Sequence, residues 1–275
     1  MERVFIQLGP ITIYWYSMFI LVGVLLGYNL IINYCKKINY RTTHIIDMLF
    51  YLFIFAIVGA RLYYVIFNFE LFKDNIFSIF QIWRGGLAIY GAIIAGIIYI
   101  AYYSYKHKLN FIKILDIFSL SLLLGQAIGR WGNFFNSEAY GGITTYESLK
   151  SLMIPEFIIK GMYIEGAYRQ PTFLYESLWC LIGVLILIRI RKRYSNVVGK
   201  QVFFYLIWYG IGRFIIEGFR SDSLYIGDFR VSQIVSIFMI VLGIVGNMVI
   251  RHKKIVVTGN KGVTNNTVGG NDGRI

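Results

Sequence analysis

Charge is scarce in this chain. Asp, Glu, Lys and Arg make up 15% of its 275 residues, apolar types make up 57%, and the mean hydropathy is +0.61. A soluble domain carries about a quarter charged residues, and a disordered one needs low hydrophobicity, so both classes are excluded. Cysteine is nearly missing: Cys35 lies beside Lys36 and Lys37, Cys180 lies inside an apolar run, and no spacing fits a disulfide framework or a metal site. The three histidines, His44, His107 and His252, sit far apart in basic junctions. A metalloenzyme is therefore not expected, and neither a metal nor another cofactor is implied. Acidic residues are outnumbered 14 to 27, a formal net charge of +13. Most of those Lys and Arg flank apolar runs, where they orient a membrane protein, so no nucleic-acid partner is expected.

What the chain has in abundance is long apolar runs. A hydrocarbon core of about 30 Å needs about 20 apolar residues as a helix. Runs of that kind are expected at 14–34, 45–67, 86–105, 114–135, 171–190, 199–217 and 231–250. The first run is too long for a cleaved signal and is read as a retained span. The expected fold is all-α, a polytopic integral membrane protein with about seven transmembrane helices. Sixteen of the 27 basic residues fall in the first, third and fifth connections and after the last span, which makes that side cytoplasmic and leaves the N-terminus outside. One membrane domain, 1–254, is expected, with an external segment at 136–170 and a Gly- and Asn-rich cytoplasmic tail at 255–275 that lacks apolar periodicity and is expected to be disordered. No inverted internal repeat is present of the kind found in many secondary transporters.

Ionisable groups inside apolar spans are costly and mark function by default. Arg61, Arg130, Arg213 and Glu217 are so placed, and a rise of about 1.5 Å per residue puts the three arginines about 20–24 Å from the cytoplasmic ends of their spans, in the outer half. The fourth run ends in LLLGQAIGRWGNFFNSEAYGG. Gly125, Gly129 and Gly132 form a smooth helical stripe that admits a close neighbour. Arg130, Asn133 and Asn136 share a different arc, where a bidentate guanidinium with two amides suits a phosphodiester headgroup. Snorkelling and helix capping are the plainer readings of the same residues. The sixth run ends in WYGIGRFIIEGFRSDS, a ladder of Tyr209, Arg213, Glu217 and Arg220 in which Glu217 is expected to hold both arginines and Asp222 to join them. Tyr16 and Tyr90 lie near the outer side, where tyrosine is also an ordinary interfacial anchor. Two Gly pairs around Tyr90 predict a bent or re-entrant entry to the third span. RQPTFLYES reads as a helix start at Pro171 and Thr172, and Asp116 as a charge at a helix N-terminus.

The string GRWGNFFNSEAYGG, Gly129 to Gly142, resembles the signature of the prolipoprotein diacylglyceryl transferases. YWYS near the start, GARLYYV from Gly59, WRGGLAIYGA from Trp83, QPTFLYE from Gln170 and GRFIIEGFRSD from Gly212 resemble that family's other blocks in order and spacing. The resemblance implies a multi-pass enzyme of the bacterial cytoplasmic membrane. It would transfer a diacylglyceryl group from phosphatidylglycerol to the lipobox cysteine of a prolipoprotein signal peptide and release glycerol 1-phosphate. By motif, Arg130 corresponds to a phospholipid-binding arginine, Asn133 and Gly141 to positions around it, Arg213 to an essential arginine and Tyr16 to a required tyrosine. Arg130, Arg213, Tyr16 and Tyr90 are the expected catalytic residues; Arg130, Asn133, Asn136, Glu138, Gly141, Arg61, Glu217 and Arg220 are expected to contact substrate. In one respect the chain departs from the pattern: the family's third-span block often carries a histidine where Tyr90 stands. A phenol with a reference pKa near 10 replaces an imidazole near 6.5, so no general base is assigned. A transporter for an anionic solute and a non-catalytic lipid-binding scaffold are the alternative classes.

Overall fold

The computed structural model describes residues 3–9 and 11–253. The tail expected at 255–275 lies outside the described residues. Seven long helices run through the described residues: α1 (Trp15–Lys37), α2 (Thr42–Phe67), α3 (Ile89–Lys106), α4 (Phe111–Asn136), α7 (Thr172–Arg193), α8 (Lys200–Glu217) and α9 (Val231–Lys253). Two short helices, α5 (Tyr146–Ser151) and α6 (Glu156–Gly161), lie between α4 and α7. Five of the long helices are apolar and long enough to cross a membrane: Trp15–Lys37, Thr42–Phe67, Phe111–Asn136, Thr172–Arg193 and Val231–Ile250. The other two have 18 residues each; α3 is diluted by five tyrosines and Lys106, and α8 carries Lys200, Arg213 and Glu217. Outward faces of the long helices are apolar, as at Leu25, Phe50, Ile98 and Phe238. Such faces suit acyl chains and would be an aggregation liability in water.

The expected all-α class needs one correction: small antiparallel sheets accompany the helices. β1 (Val4–Leu8) and β2 (Ile11–Tyr14) form a hairpin that runs directly into α1. β3 (Ile143–Thr144), β4 (Tyr163–Ile164) and β5 (Ala167–Arg169) form a sheet of order β3-β5-β4, and β6 (Tyr225–Ile226) pairs β7 (Phe229–Arg230) before α9. These strands are too short for a periodic signal to show against an apolar background.

The described residues divide into two compact units, those up to 34 together with those from 115 onward, and residues 35–114. In the larger unit α4 is the inner helix, with 56% of its apolar window buried against 17% for α9. Leu120, Leu123 and Ala127 of α4 pack with Cys180, Val184 and Leu187 of α7 and Tyr205 of α8. α7 and α8 are locked by a reciprocal pair: the indoles of Trp179 and Trp208 stack at 4.4 Å, and each donates its N–H to the other's backbone carbonyl, at 2.9 and 3.0 Å. The absence of side chains at Gly183 and Gly212 makes room for those indoles. At the far end of the same helices Asp116, fully buried, accepts from the backbone N–H groups of Gly199, Gln201 and Val202. It therefore caps the N-terminus of α8, not that of its own helix, which only the tertiary approach of α4 to α8 could arrange.

The segment between α4 and α7 builds its own core. Leu149, Ile154, Ile158, Ile159 and Met162 close over Phe134 at the end of α4 and Phe173 at the start of α7. Thr145 caps α5 by accepting from the N–H of Ser148 at 3.1 Å. The smaller unit pairs α2 with α3, whose backbones approach so closely that a Cβ at Gly59 would lie 2.7 Å from the carbonyl oxygen of Gly91. Three 3-10 turns, Phe69–Phe72, Ile76–Phe80 and Ile82–Arg84, fill the connection, and Gly85 and Gly86 take positive φ before α3 begins. The bent entry expected around Tyr90 is thus a turn-rich loop ending two residues before it. Replacing Gly212 by Ala drives a methyl into the Trp179 indole. The expected outcome is a loss of about 1–3 kcal/mol and a lower midpoint in thermal unfolding of the detergent-purified protein.

Candidate active site

The site begins where α4 stops. Helix α4 ends at Asn136, and the next residue, Ser137, adopts φ +53°, the left-handed conformation usually supplied by glycine at this position. The N–H of Glu138 bonds the carbonyl of Asn133 at 3.0 Å and that of Ser137 the carbonyl of Phe134 at 3.1 Å. Ala139 is also left-handed, at +56°, so Glu138 stands between two strained residues. Tertiary contacts hold them there. Thr172 at the start of α7 donates its hydroxyl to the Ala139 carbonyl at 2.5 Å. Gly141 donates its N–H to Gln170 and Gly142 donates to Phe219, so the turn bridges the head of α7 and the tail of α8. A Cβ at Gly141 would lie 2.8 Å from that of Gln170 and 3.0 Å from the Phe219 oxygen, so only glycine fits. The tight-turn role implied for Gly141 therefore has a physical basis in this close approach.

The turn aims a polar chain at one buried carboxylate. Arg130 donates to Asn133 Oδ1 at 3.3 Å, and the Asn133 amide donates to Glu138 Oε1 at 2.8 Å, an oxygen that Asn136 also reaches at 3.4 Å. The other terminal nitrogen of Arg130, Nη2, meets Glu176 Oε1 of α7 at 2.6 Å. Glu176 Oε2 receives Arg213 of α8 at 3.0 Å, and the Tyr209 hydroxyl donates to Oε1 at 3.3 Å. Glu176 is 3% exposed. Arg213 also pairs with Glu217 at 2.6 Å and donates to Ser232 of α9 at 3.2 Å. Glu217, 1% exposed, lies 3.9 Å from Arg220, so it faces both arginines as the helical spacing predicts. Arg220 then clasps Asp222 with two hydrogen bonds of 2.9 Å. Arg230 donates to the Glu217 carbonyl at the end of α8.

Beside this network lies a recess of about 260 Å³ lined by Arg3, Tyr14, Tyr16, Ser17, Asn136 and Glu138. Tyr16 reaches it from the first turn of α1 and packs on bare backbone at Gly132, where a Cβ would come within 2.7 Å of its ring. Of the expected glycine stripe, Gly132 takes the Tyr16 ring, and Gly125 lies against Gly23 of α1, whose Cβ position would be 3.6 Å from the Gly125 Cα; the Cβ position of Gly129 meets nothing within 4 Å. The arrangement thus offers clustered guanidinium donors next to a recess that holds a carboxylate and a phenol. It can bind an anion and hold a neighbouring reactant. Among the described residues no three His, Cys, Asp or Glu side chains are gathered as a metal-binding group.

Comparison with known proteins identifies the architecture. A family model described as prolipoprotein diacylglyceryl transferase matches residues 3–249. The chain belongs to the prolipoprotein diacylglyceryl transferase family. Relatives named phosphatidylglycerol–prolipoprotein diacylglyceryl transferase include that of Halalkalibacterium halodurans, 50% identical over 88% of this chain and 83% of the relative. That of Listeria innocua is 44% identical over 93% and 91%, and that of Streptococcus agalactiae 46% identical over 87% and 92%.

Within this family member, the expected site residues divide between the two compact units. Arg130, Asn133, Asn136, Glu138, Gly141, Arg213, Glu217, Arg220 and Tyr16 all belong to the larger unit and are drawn into the network and recess just described. Arg61 and Tyr90 belong to the smaller. Tyr90 is the second residue of α3. Arg61, 7% exposed, spends its guanidinium on its own connection: it donates to the carbonyls of Ser78, Ile79, Gly85 and Gly86 at 2.7–3.0 Å, with the Phe72 ring 5.1 Å away. Those contacts make it a clamp on the loop that leads to Tyr90. The residue that inspection of the sequence passed over is Glu176. It lies in an apolar span just as Arg130 and Arg213 do, and the same cost argument applies to it. It falls within RQPTFLYES, a string whose local pattern reads only as a helix start.

Outside the spans, burial pushes the Asp222 carboxyl up, but the hydrogen bonds and charge of Arg220 outweigh burial and leave it below its ordinary value. A carboxyl lowered in the folded state stabilises the fold above its unfolded pKa, and that contribution is lost as pH falls through the folded value. The stability difference between the parent and Asp222→Asn is therefore expected to stay constant from about pH 8 to 5 and to shrink below about pH 4, measured by thermal unfolding across pH.

Proposed function

We propose that this chain transfers the diacylglyceryl group of phosphatidylglycerol to the lipobox cysteine of a prolipoprotein, the first step of lipoprotein maturation, and that Arg130 and Arg213 hold the phosphate. The observation that carries this reading is the convergence of two guanidinium groups, from α4 and α8, on one buried region beside a recess. Phosphodiesters are recognised by such forks, and fixed cations aimed at developing charge are a strong lever on rate.

The chemistry follows from the bonds exchanged. The cysteine sulfur attacks the terminal glyceryl carbon of the diacylglyceryl group, forming a C–S bond. The C–O bond to phosphate breaks, and its electron pair leaves with glycerol 1-phosphate. The thiol proton is released, and the phosphate carries the additional charge or takes up that proton. A thiol with pKa near 8.5 is only a few per cent ionised at pH 7, so an acceptor near the sulfur accelerates attack. Glu138 and Tyr16 line the recess beside Arg130, which supports placing the thiol there. Asn133 ties Glu138 to Arg130, coupling the phosphate side to the recess side. Gly141 serves by letting the turn seat against α7 and α8, and Glu217 and Arg220 by steadying Arg213. Tyr90 and Arg61 belong to the smaller unit, and no step of this reading is assigned to them.

Replacing Arg130 or Arg213 by Gln keeps a polar side chain and removes the charge. Each variant is expected to lose at least about 100-fold in transfer rate. The assay is the mass gain of one diacylglyceryl unit on a lipobox peptide supplied with phosphatidylglycerol. Near-parental rates with an unchanged phosphatidylglycerol KM would overturn the assignment; a transporter or a scaffold would show no mass gain even in the parent.

The proposed topology has all seven long helices spanning the cytoplasmic membrane of a bacterium, with the N-terminus and the segment 136–170 outside and the C-terminus in the cytoplasm. The basic connections support it. Both native cysteines are buried, so single exposed cysteines can report on side. In intact cells a membrane-impermeant maleimide is expected to label Ser151→Cys, while Asn196→Cys is labelled only after permeabilisation.

A further inference from the structure

We infer that Glu176 is a positioning residue for the transfer, one that spaces the two arginines and acts as the counter-ion a phosphate must compete with. The inference rests on the reading of Arg130 and Arg213 as the phosphate-binding pair.

Two guanidinium groups brought together in a low-dielectric region repel one another, and nothing on α4 or α8 alone fixes their separation. Glu176 contacts both with different oxygens, Oε1 to Arg130 at 2.6 Å and Oε2 to Arg213 at 3.0 Å. A rigid planar carboxylate used in this way sets the distance and relative orientation of its partners. Its own position is determined by burial and by the Tyr209 hydroxyl on Oε1. The two arginines are not equivalent. Arg213 meets two carboxylates, Glu176 and Glu217, whereas Arg130 meets one carboxylate and the neutral amide of Asn133.

The charge balance gives Glu176 a second consequence. Arg130 and Arg213 are matched formally by Glu176 and Glu217, and Arg220 by Asp222, so the resting cluster is neutral. A phosphodiester with one negative charge must share guanidinium donors with Glu176. The released glycerol phosphate can carry up to two charges and would be gripped more tightly than the substrate if the arginines were unopposed. Binding that is equally strong in ground and transition states does not raise kcat, and tight product binding lowers it. Glu176 thus tempers the grip on ground state and product while keeping the arginines aligned for the charge that develops on the leaving phosphate.

The substitution Glu176→Gln keeps shape and removes charge. A carboxamide offers one acceptor oxygen and a donor NH2, so it can serve only one of the two arginines. In the purified enzyme kcat is expected to fall at least about tenfold while the KM for phosphatidylglycerol stays level or falls, and glycerol 1-phosphate is expected to inhibit at about tenfold lower concentration. A merely structural role would not sharpen product inhibition. A kcat within about threefold of the parent, or product inhibition no stronger than the parent's, overturns the inference. Glu176→Asp keeps the charge and draws it back by one methylene. It is expected to show parental product inhibition with kcat reduced at least about fivefold, and a parental kcat overturns the spacing claim even if the Gln variant does not fold. If the Gln variants of Arg130 and Arg213 are inactive while Glu176→Gln behaves as the parent, this inference alone fails; if those arginine variants are active, the phosphate-site reading fails first.

Discussion

Holding two arginines side by side within the apolar part of a protein requires a carboxylate between them, and this requirement organises the larger unit. Glu176 meets it by standing between Arg130 of α4 and Arg213 of α8. A buried charge left alone costs several kcal/mol, and removing one partner of such a set exposes the others to that cost. The three helices must therefore be held in one arrangement, and the packing around the cluster provides the means.

At one end of α8 the buried Asp116 caps three backbone N–H groups. In the middle, paired indoles on α7 and α8 fit against glycines on the opposite helix. At the other end the Ser137–Gly142 turn is fastened to Gln170, Thr172 and Phe219. These three fastenings have a common logic. Each uses a feature too small or too polar to be favoured in a lipid-facing helix, a glycine or a buried hydrogen-bonding group, and each has a partner on another helix. Van der Waals closeness and hydrogen bonding drive helix association where the surrounding lipid is as apolar as the side chains. The strained residues on either side of Glu138 persist under the same fastening, which presents its carboxylate at the recess.

The outer-half position expected for Arg130 and Arg213 has a chemical counterpart in the proposed reaction. An exported precursor presents its cysteine at the outer surface, and a phospholipid headgroup sits at the interface while its chains remain in the hydrocarbon. A site that combines fixed cations with an open recess beside α1 matches both demands. In the smaller unit the buried Arg61 is committed to backbone carbonyls of the loop that leads to Tyr90.

Much of this was legible in one dimension because the membrane imposes strong rules. Apolar runs of fixed length marked the helices, and ionisable groups inside them marked Arg130, Arg213 and Glu217, since a charge in hydrocarbon is too costly to be incidental. Helical spacing alone paired Glu217 with Arg213 and Arg220, because residues three and four apart share a face. Three features depended on tertiary structure. Asp116 caps a helix 83 residues away from it in sequence. Arg61 donates to loop carbonyls that approach it only after the connection folds back. Glu176 becomes the hub of the site because α4 and α8 flank it. Local spacing determines which side chains share a helix face; which faces meet is decided by packing between helices distant in sequence, and there the identity of the central carboxylate was settled.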